Sequence, residues 1–101
     1  MIKHFVAFRF KPEVPPDEQA RVLDELNEFP SRFPAMKNWS LGRNISRRDD
    51  TFSHAFVVEF DREDELLSYL NSEEHEQFVA THFRPFVATR GIVSLEIPDP
   101  R

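Results

Sequence analysis

The stretch IKHFVAFRF, residues 2–10, decides the fold. Its even positions are Ile2, His4, Val6, Phe8 and Phe10, and its odd positions are Lys3, Phe5, Ala7 and Arg9. Period-two alternation of β-branched and aromatic residues is the mark of a strand. A second stretch, TFSHAFVVEF at 51–60, repeats the pattern with Phe52, His54, Phe56, Val58 and Phe60 in one row. Each apolar row contains a histidine. An imidazole in such a row costs free energy unless a hydrogen bond or a wet cavity serves it. His4 and His54 are therefore either two satisfied core residues or the lining of one shared pocket.

Between these strands, Pro15-Pro16-Asp17-Glu18 signals a helix entry. Gln19, Val22, Leu23, Leu26, Phe29 and Phe33 follow at helical spacing, which predicts a helix over about 17–29, closed by Pro30 and Pro34. MKNWSLGRNI (36–45) reads as a weaker strand with Trp39 and Leu41 on one face, and SRRDD as a polar connection. After the 52–60 strand, 61–70 is helical with Leu66, Leu67 and Leu70. Ser72 is placed to cap a last helix carrying Phe78, Val79, Phe83 and Phe86, with Pro85 bending or ending it. Gly91 reads as punctuation before a final strand at 92–97, and PDPR (98–101) as a frayed tail. The order β-α-β-β-α-β predicts a ferredoxin-like α+β domain over 1–97, with an antiparallel four-stranded sheet.

The bulk properties narrow the function. The chain has 101 residues, room for one domain. With no cysteine it offers no thiolate nucleophile or cysteine metal site. A net charge of −5 argues against nucleic acid as a partner. The cluster Arg43, Arg47 and Arg48 runs straight into Asp49 and Asp50 and reads as a solvated tip. No run is apolar enough for a leader or a membrane span, so a soluble cytoplasmic protein is expected. Two glycines in total rule out a phosphate-cradling or dinucleotide loop. His4, His54 and His75 form no short chelating motif, so neither a metal nor another cofactor is expected.

Both central strands are apolar on both faces: Phe5, Ala7, Ala55 and Val57 on one, Val6, Phe8, Phe56 and Val58 on the other. Two helices cover one face. The face carrying His4 and His54 is expected to be the uncovered one, too apolar for a soluble monomer. The simplest remedy is a homodimer through that sheet face, which would put the histidines inside a barrel.

The opening IKHFVAFRFK, GRNIS, SHAFVVEF, and YLNSEEHEQFV followed by FRPFV resemble the stress-responsive dimeric α/β-barrel (Dabb) family, in order and over nearly the whole chain. The resemblance implies a dimeric barrel of ferredoxin-like protomers, each with a pocket between sheet and helices. Plant members include polyketide cyclases of the olivetolic acid type and a hydroxynitrile lyase. By that likeness His75 would be the base and Tyr69 its helper. The pocket would be lined by His4, Val6 and Phe8 from the first strand, Leu23 and Leu26 from the first helix, Trp39 from the second strand, and His54 and Phe56 from the third. This chain reads Ser72-Glu73-Glu74-His75 where the family often has His-Pro-x-His, and Leu26 stands where the cyclases present a tyrosine.

His75 falls in a first helical turn, where the backbone dipole favours a neutral imidazole able to take a proton. Tyr69 or a protonated strand histidine could then stabilise an enolate oxygen. A phenylalanine-rich cavity suits a small apolar or aromatic ligand. Three readings stay open at this point: a cofactor-free acid–base enzyme, a stress-response module that only binds such a molecule, and a structural unit with no ligand.

Overall fold

In the computed structural model, residues 1–98 are described; Asp99, Pro100 and Arg101, most of the tail expected to fray, lie outside them. The elements are β1 (Ile2–Phe10), α1 (Pro16–Asn27), α2 (Phe29–Arg32), β2 (Lys37–Arg43), β3 (His54–Phe60), α3 (Glu63–Leu70), α4 (Glu73–Phe78) and β4 (Val87–Glu96). The strands form one antiparallel sheet in the order β2-β3-β1-β4. This is the ferredoxin-like βαββαβ arrangement. β1 is central, pairing Ile2 with Phe60 and Phe8 with His54 on one side, and His4 with Ser94 and Phe8 with Arg90 on the other.

The helices cover the opposite face from the one expected. Ile2, His4, Val6, Phe8 and Phe10 are all buried, as are Phe56, Val58 and Phe60, and they pack beneath Val22, Leu26, Phe29, Leu66, Tyr69 and Phe78. The row that remains uncovered holds Phe5, Val93 and Leu95, at 36, 54 and 42% exposure. The physical reason lies at the ends of the rows. The outer row of β1 also holds Lys3 and Arg9, whose charges would be costly under a helix. The inner row has no formal charge at all, and its one polar member, His4, is satisfied by Ser94 Oγ at 2.8 Å. His4 and His54 therefore face the protomer's own helices and not a second sheet.

Local chemistry sets the boundaries. α1 starts on Pro16 at its first turn and ends at Asn27; Pro30 opens the separate turn α2. Glu65 Oε1 reaches back to accept from the backbone N–H groups of Asp61 and Arg62, fixing the start of α3. β2 is shorter than the stretch 36–45, with an irregularity at Asn38, whose φ is +52°. Asparagine tolerates that conformation better than most residues, and Asn38 Nδ2 donates to Glu59 Oε1 at 3.0 Å.

The last helix and strand depart most from the sequence reading. α4 runs for six residues and then widens into a π-helical turn, Val79–Phe83, where the Arg84 N–H bonds the Val79 carbonyl. A 3-10 turn, Arg84–Phe86, follows. Pro85 has no N–H, so the α-helical ladder cannot run through it. β4 begins at Val87, five residues before the expected start at 92. Gly91 does not punctuate; it pairs with Ala7 in mid-strand. A Cβ there would sit 3.1 Å from Phe52 Cζ, so the glycine makes room for an aromatic ring.

The burial pattern predicts unequal costs for two truncations. Phe8→Ala, at a site with no exposure, is expected to lose ~3–5 kcal/mol. Leu67→Ala, at a site 46% exposed, is expected to change stability by less than about 0.5 kcal/mol. Urea unfolding followed by circular dichroism measures both.

Candidate active site

A cavity of about 220 Å³ lies between the inner sheet face and the helices. His4 and Val6 reach it from β1, Phe56 from β3, Leu26 from α1, Tyr69 and Leu70 from α3, and His75 and Phe78 from α4. Of the residues expected to line a pocket, His4, Val6, Leu26, Phe56, Tyr69 and His75 thus meet around one space. Phe8, Leu23, Trp39 and His54 do not border it. Phe8 is sealed in the core, and Leu23 packs against that core from α1. Trp39 stacks on Phe56, with ring centres 4.7 Å apart, and its Nε1 donates to Asn27 Oδ1 at 2.8 Å. His54 stacks on Phe8 at 5.7 Å and borders a separate recess with Arg43, Asn44 and Phe52. No three His, Asp or Glu side chains among the described residues are placed to share a metal ion.

His75 is held by the turn between α3 and α4. Ser72 caps α4, its Oγ accepting from the His75 backbone N–H at 3.1 Å while donating to the Tyr69 carbonyl at 2.8 Å. The same turn brings His75 Nδ1 to 3.1 Å from the Leu70 carbonyl. A carbonyl can only accept, so Nδ1 carries the hydrogen in that bond. In a neutral imidazole the other nitrogen, Nε2, is then the basic one. The ring packs edge-on against Tyr69, with centres 4.6 Å apart, and Tyr69 in turn lies 6.3 Å from His4.

Burial governs the protonation of all three groups. It pushes His4 down from 6.5 to about 4, with a smaller contribution from the charge His75 would carry. Burial also holds His75 below the usual histidine value, opposed by the Leu70 carbonyl and Glu76. Burial raises the Tyr69 phenol well above its ordinary value. At neutral pH the cavity consequently contains two uncharged imidazoles and a protonated phenol, a base and a donor side by side. His54 is also lowered, by burial and by Arg43.

The fold agrees with what the chain is similar to. The model of the Dabb family, the stress responsive A/B barrel domain, matches residues 2–97. The chain belongs to the Dabb family. No curated protein is matched by the sequence. Many solved structures share the Dabb chain's fold, and three of them illustrate the range. A dimeric ferredoxin-like protein of unknown function from Thermobifida fusca is 27% identical, with a TM-score of 0.80 over 95% of this chain and 90% of its own. A Dabb family protein from Mesorhizobium loti is 22% identical, with a TM-score of 0.86 over 97% of each chain. Hydroxynitrile lyase from Passiflora edulis is 21% identical, with a TM-score of 0.87 over 99% of this chain and 95% of its own.

Sequence reasoning missed several lining residues: Phe29, Phe78, Val79 and Phe83, and the polar Glu76, Arg84 and Arg90. The aromatic ones were visible as core candidates, but which of them border empty space depends on packing. Arg90 was hidden because Gly91 was read as a break, which left Arg90 outside β4.

The pKa directions have a checkable consequence. Protonating His4 is easier in the unfolded chain, at about 6.5, than in the folded one, at about 4. Stability is therefore fullest above about pH 6.5 and declines as the pH falls from there toward 4. NMR titration of the His4 ring is expected to show a midpoint near 4. His4→Gln is expected to flatten the fall of the urea midpoint across that window.

Proposed function

We propose that this Dabb protein is a homodimeric, cofactor-free acid–base enzyme acting on a small aromatic or polyketide-like molecule, of the lyase or cyclase kind. The observation that carries the reading is the tautomer of His75: Nδ1–H is committed to the Leu70 carbonyl, and Nε2 has no partner among the described residues of the cavity wall. Nε2 accepts a proton from a carbon beside a carbonyl, or from the hydroxyl of a cyanohydrin. Tyr69, kept protonated by burial, supplies the hydrogen bond to oxygen as charge shifts. In a low-dielectric cavity such a donor is worth far more than in water. The resemblance to plant cyclases implies the same division of labour, and one neighbour in fold is a hydroxynitrile lyase. Stress-induced duty is suggested by the family's description alone.

Phenylacetone and a benzaldehyde cyanohydrin are suitable first probes, the readouts being deuterium uptake at the ketone's α carbon and release of free aldehyde. His75→Ala is expected to lower either rate by ~10²–10⁴, and Tyr69→Phe by about 10², with both variants folded. Turnover unchanged in His75→Ala would sink the reading. Binding of the probes without any turnover would instead favour a module that holds the molecule and does no chemistry on it.

The homodimer is proposed through the outer sheet face, and not through the histidine row. Phe5, Val93 and Leu95 are exposed there beside Val57, Ala7 and Ala55. Covering apolar surface gains ~25 cal/mol per Å², and the T. fusca neighbour is described as dimeric. Val57→Asp combined with Val93→Asp is expected to yield a folded monomer in sedimentation velocity, whereas the parent sediments as a dimer.

A further inference from the structure

The rim of the cavity carries two charges that the proton chemistry at His75 does not use. Arg84, in the 3-10 turn, and Arg90, opposite Phe8 in β4, both line the cavity. Both also line an adjoining recess of about 190 Å³, together with Val79 and Phe83, which border both spaces. Elsewhere the helical guanidiniums are matched to carboxylates: Arg21 to Glu18 and Glu25, Arg32 to Glu28, and Arg62 to Asp64. The side chains of Arg84 and Arg90, like those of Arg43, Arg47 and Arg48 at the far end of the β2–β3 connection, have no ion pair or hydrogen bond among the described residues, although the chain contains 18 acidic side chains against 13 basic ones. A chain with carboxylates in excess has thus left these two guanidiniums unmatched at the edge of the cavity that holds His75.

The remaining lining indicates what fits between them. One carboxylate, Glu76, shares the rim. Two cations and one anion leave a single positive charge, which suits a monoanion better than a doubly charged phosphate. The guanidinium fork matches a planar carboxylate in a two-point contact. The buried aromatic walls are Phe29, Phe56 and Phe78, and Ile92 lines the cavity at its open edge. At about 220 Å³ the space is smaller than the ~300–1,000 Å³ of sites for drug-sized ligands, which limits the apolar part to about one ring.

We propose that the cavity takes a single-ring organic acid, its carboxylate held at the rim by Arg84 and Arg90 and its ring among the phenylalanines. The inference rests on the cavity being the ligand site, as in the proposed function, and adds the charge of the ligand. The carboxylate fixes which carbon lies near His75, so the arginines are positioning residues and not proton carriers.

Isothermal titration with 3-phenylpropanoate and its primary amide tests this. The parent is expected to bind the acid at least about tenfold more tightly than the amide, with the preference shrinking as salt is added. In Arg84→Gln/Arg90→Gln the acid and the amide are expected to bind alike. Both positions are exposed, so the double variant keeps the parent's melting temperature, and the two Arg→Lys variants retain part of the preference. Equal affinity for acid and amide in the parent, or a preference that survives the double Gln variant, overturns the proposal and leaves the cavity as a site for neutral ligands. Failure of both probes to bind the parent overturns the ligand-site reading, and this proposal with it.

Discussion

A sheet whose central strands are apolar on both faces has only one set of helices to cover them, and that constraint orders everything else in the molecule. The choice falls on the row without formal charge. Once Ile2, Val6, Phe8 and Phe10 lie under α1, α3 and α4, His4 goes with them, and the face with Phe5, Val57 and Val93 is left over. Cavity and exposed face are then two results of one decision. The helices do not close fully over β4, where Ile92 is 48% exposed, and the cavity opens along that edge. The neutrality of His4 also follows, because a charged imidazole so placed would oppose the burial that put it there.

Much of this was legible in the residues, and the errors have identifiable causes. The element order and the Ser72 cap came from local signals that tertiary packing did not override, whereas the pairing of His75 with Tyr69 came from the family resemblance. The expected choice of buried face is reversed in the structure, where a neutral His4 bonded to Ser94 Oγ is tolerated beneath the helices. Lys3 and Arg9 in the opposite row were the better guide. The start of β4 went wrong at Gly91, because a glycine that serves a distant ring cannot be told from one that breaks a strand. Phe52 supplies the reason, and nothing near Gly91 in sequence points to it. The π-helical turn is similar. Pro85 announces that the α-helix must stop, but not that the preceding turn will widen.

The α3–α4 turn concentrates the site in very few residues. Ser72 Oγ accepts from His75 and donates to Tyr69, so one hydroxyl fixes the spacing of base and donor along the chain. The Leu70 carbonyl sets the tautomer, as second-layer hydrogen bonds do for many functional imidazoles. His4 belongs to the same electrostatic unit, since a charge on His75 lowers its affinity for a proton. Two basic rings within such reach take up one proton more readily than two.

The stack of Trp39 on Phe56 has a consequence of a different kind. Trp39 is the only tryptophan in the chain, and the phenyl ring it stacks on borders the cavity. The indole itself stays outside that space, tied to Asn27. The protein therefore contains a single indole reporter one ring removed from its candidate site, near enough to sense what presses on Phe56 and far enough to leave the contents undisturbed.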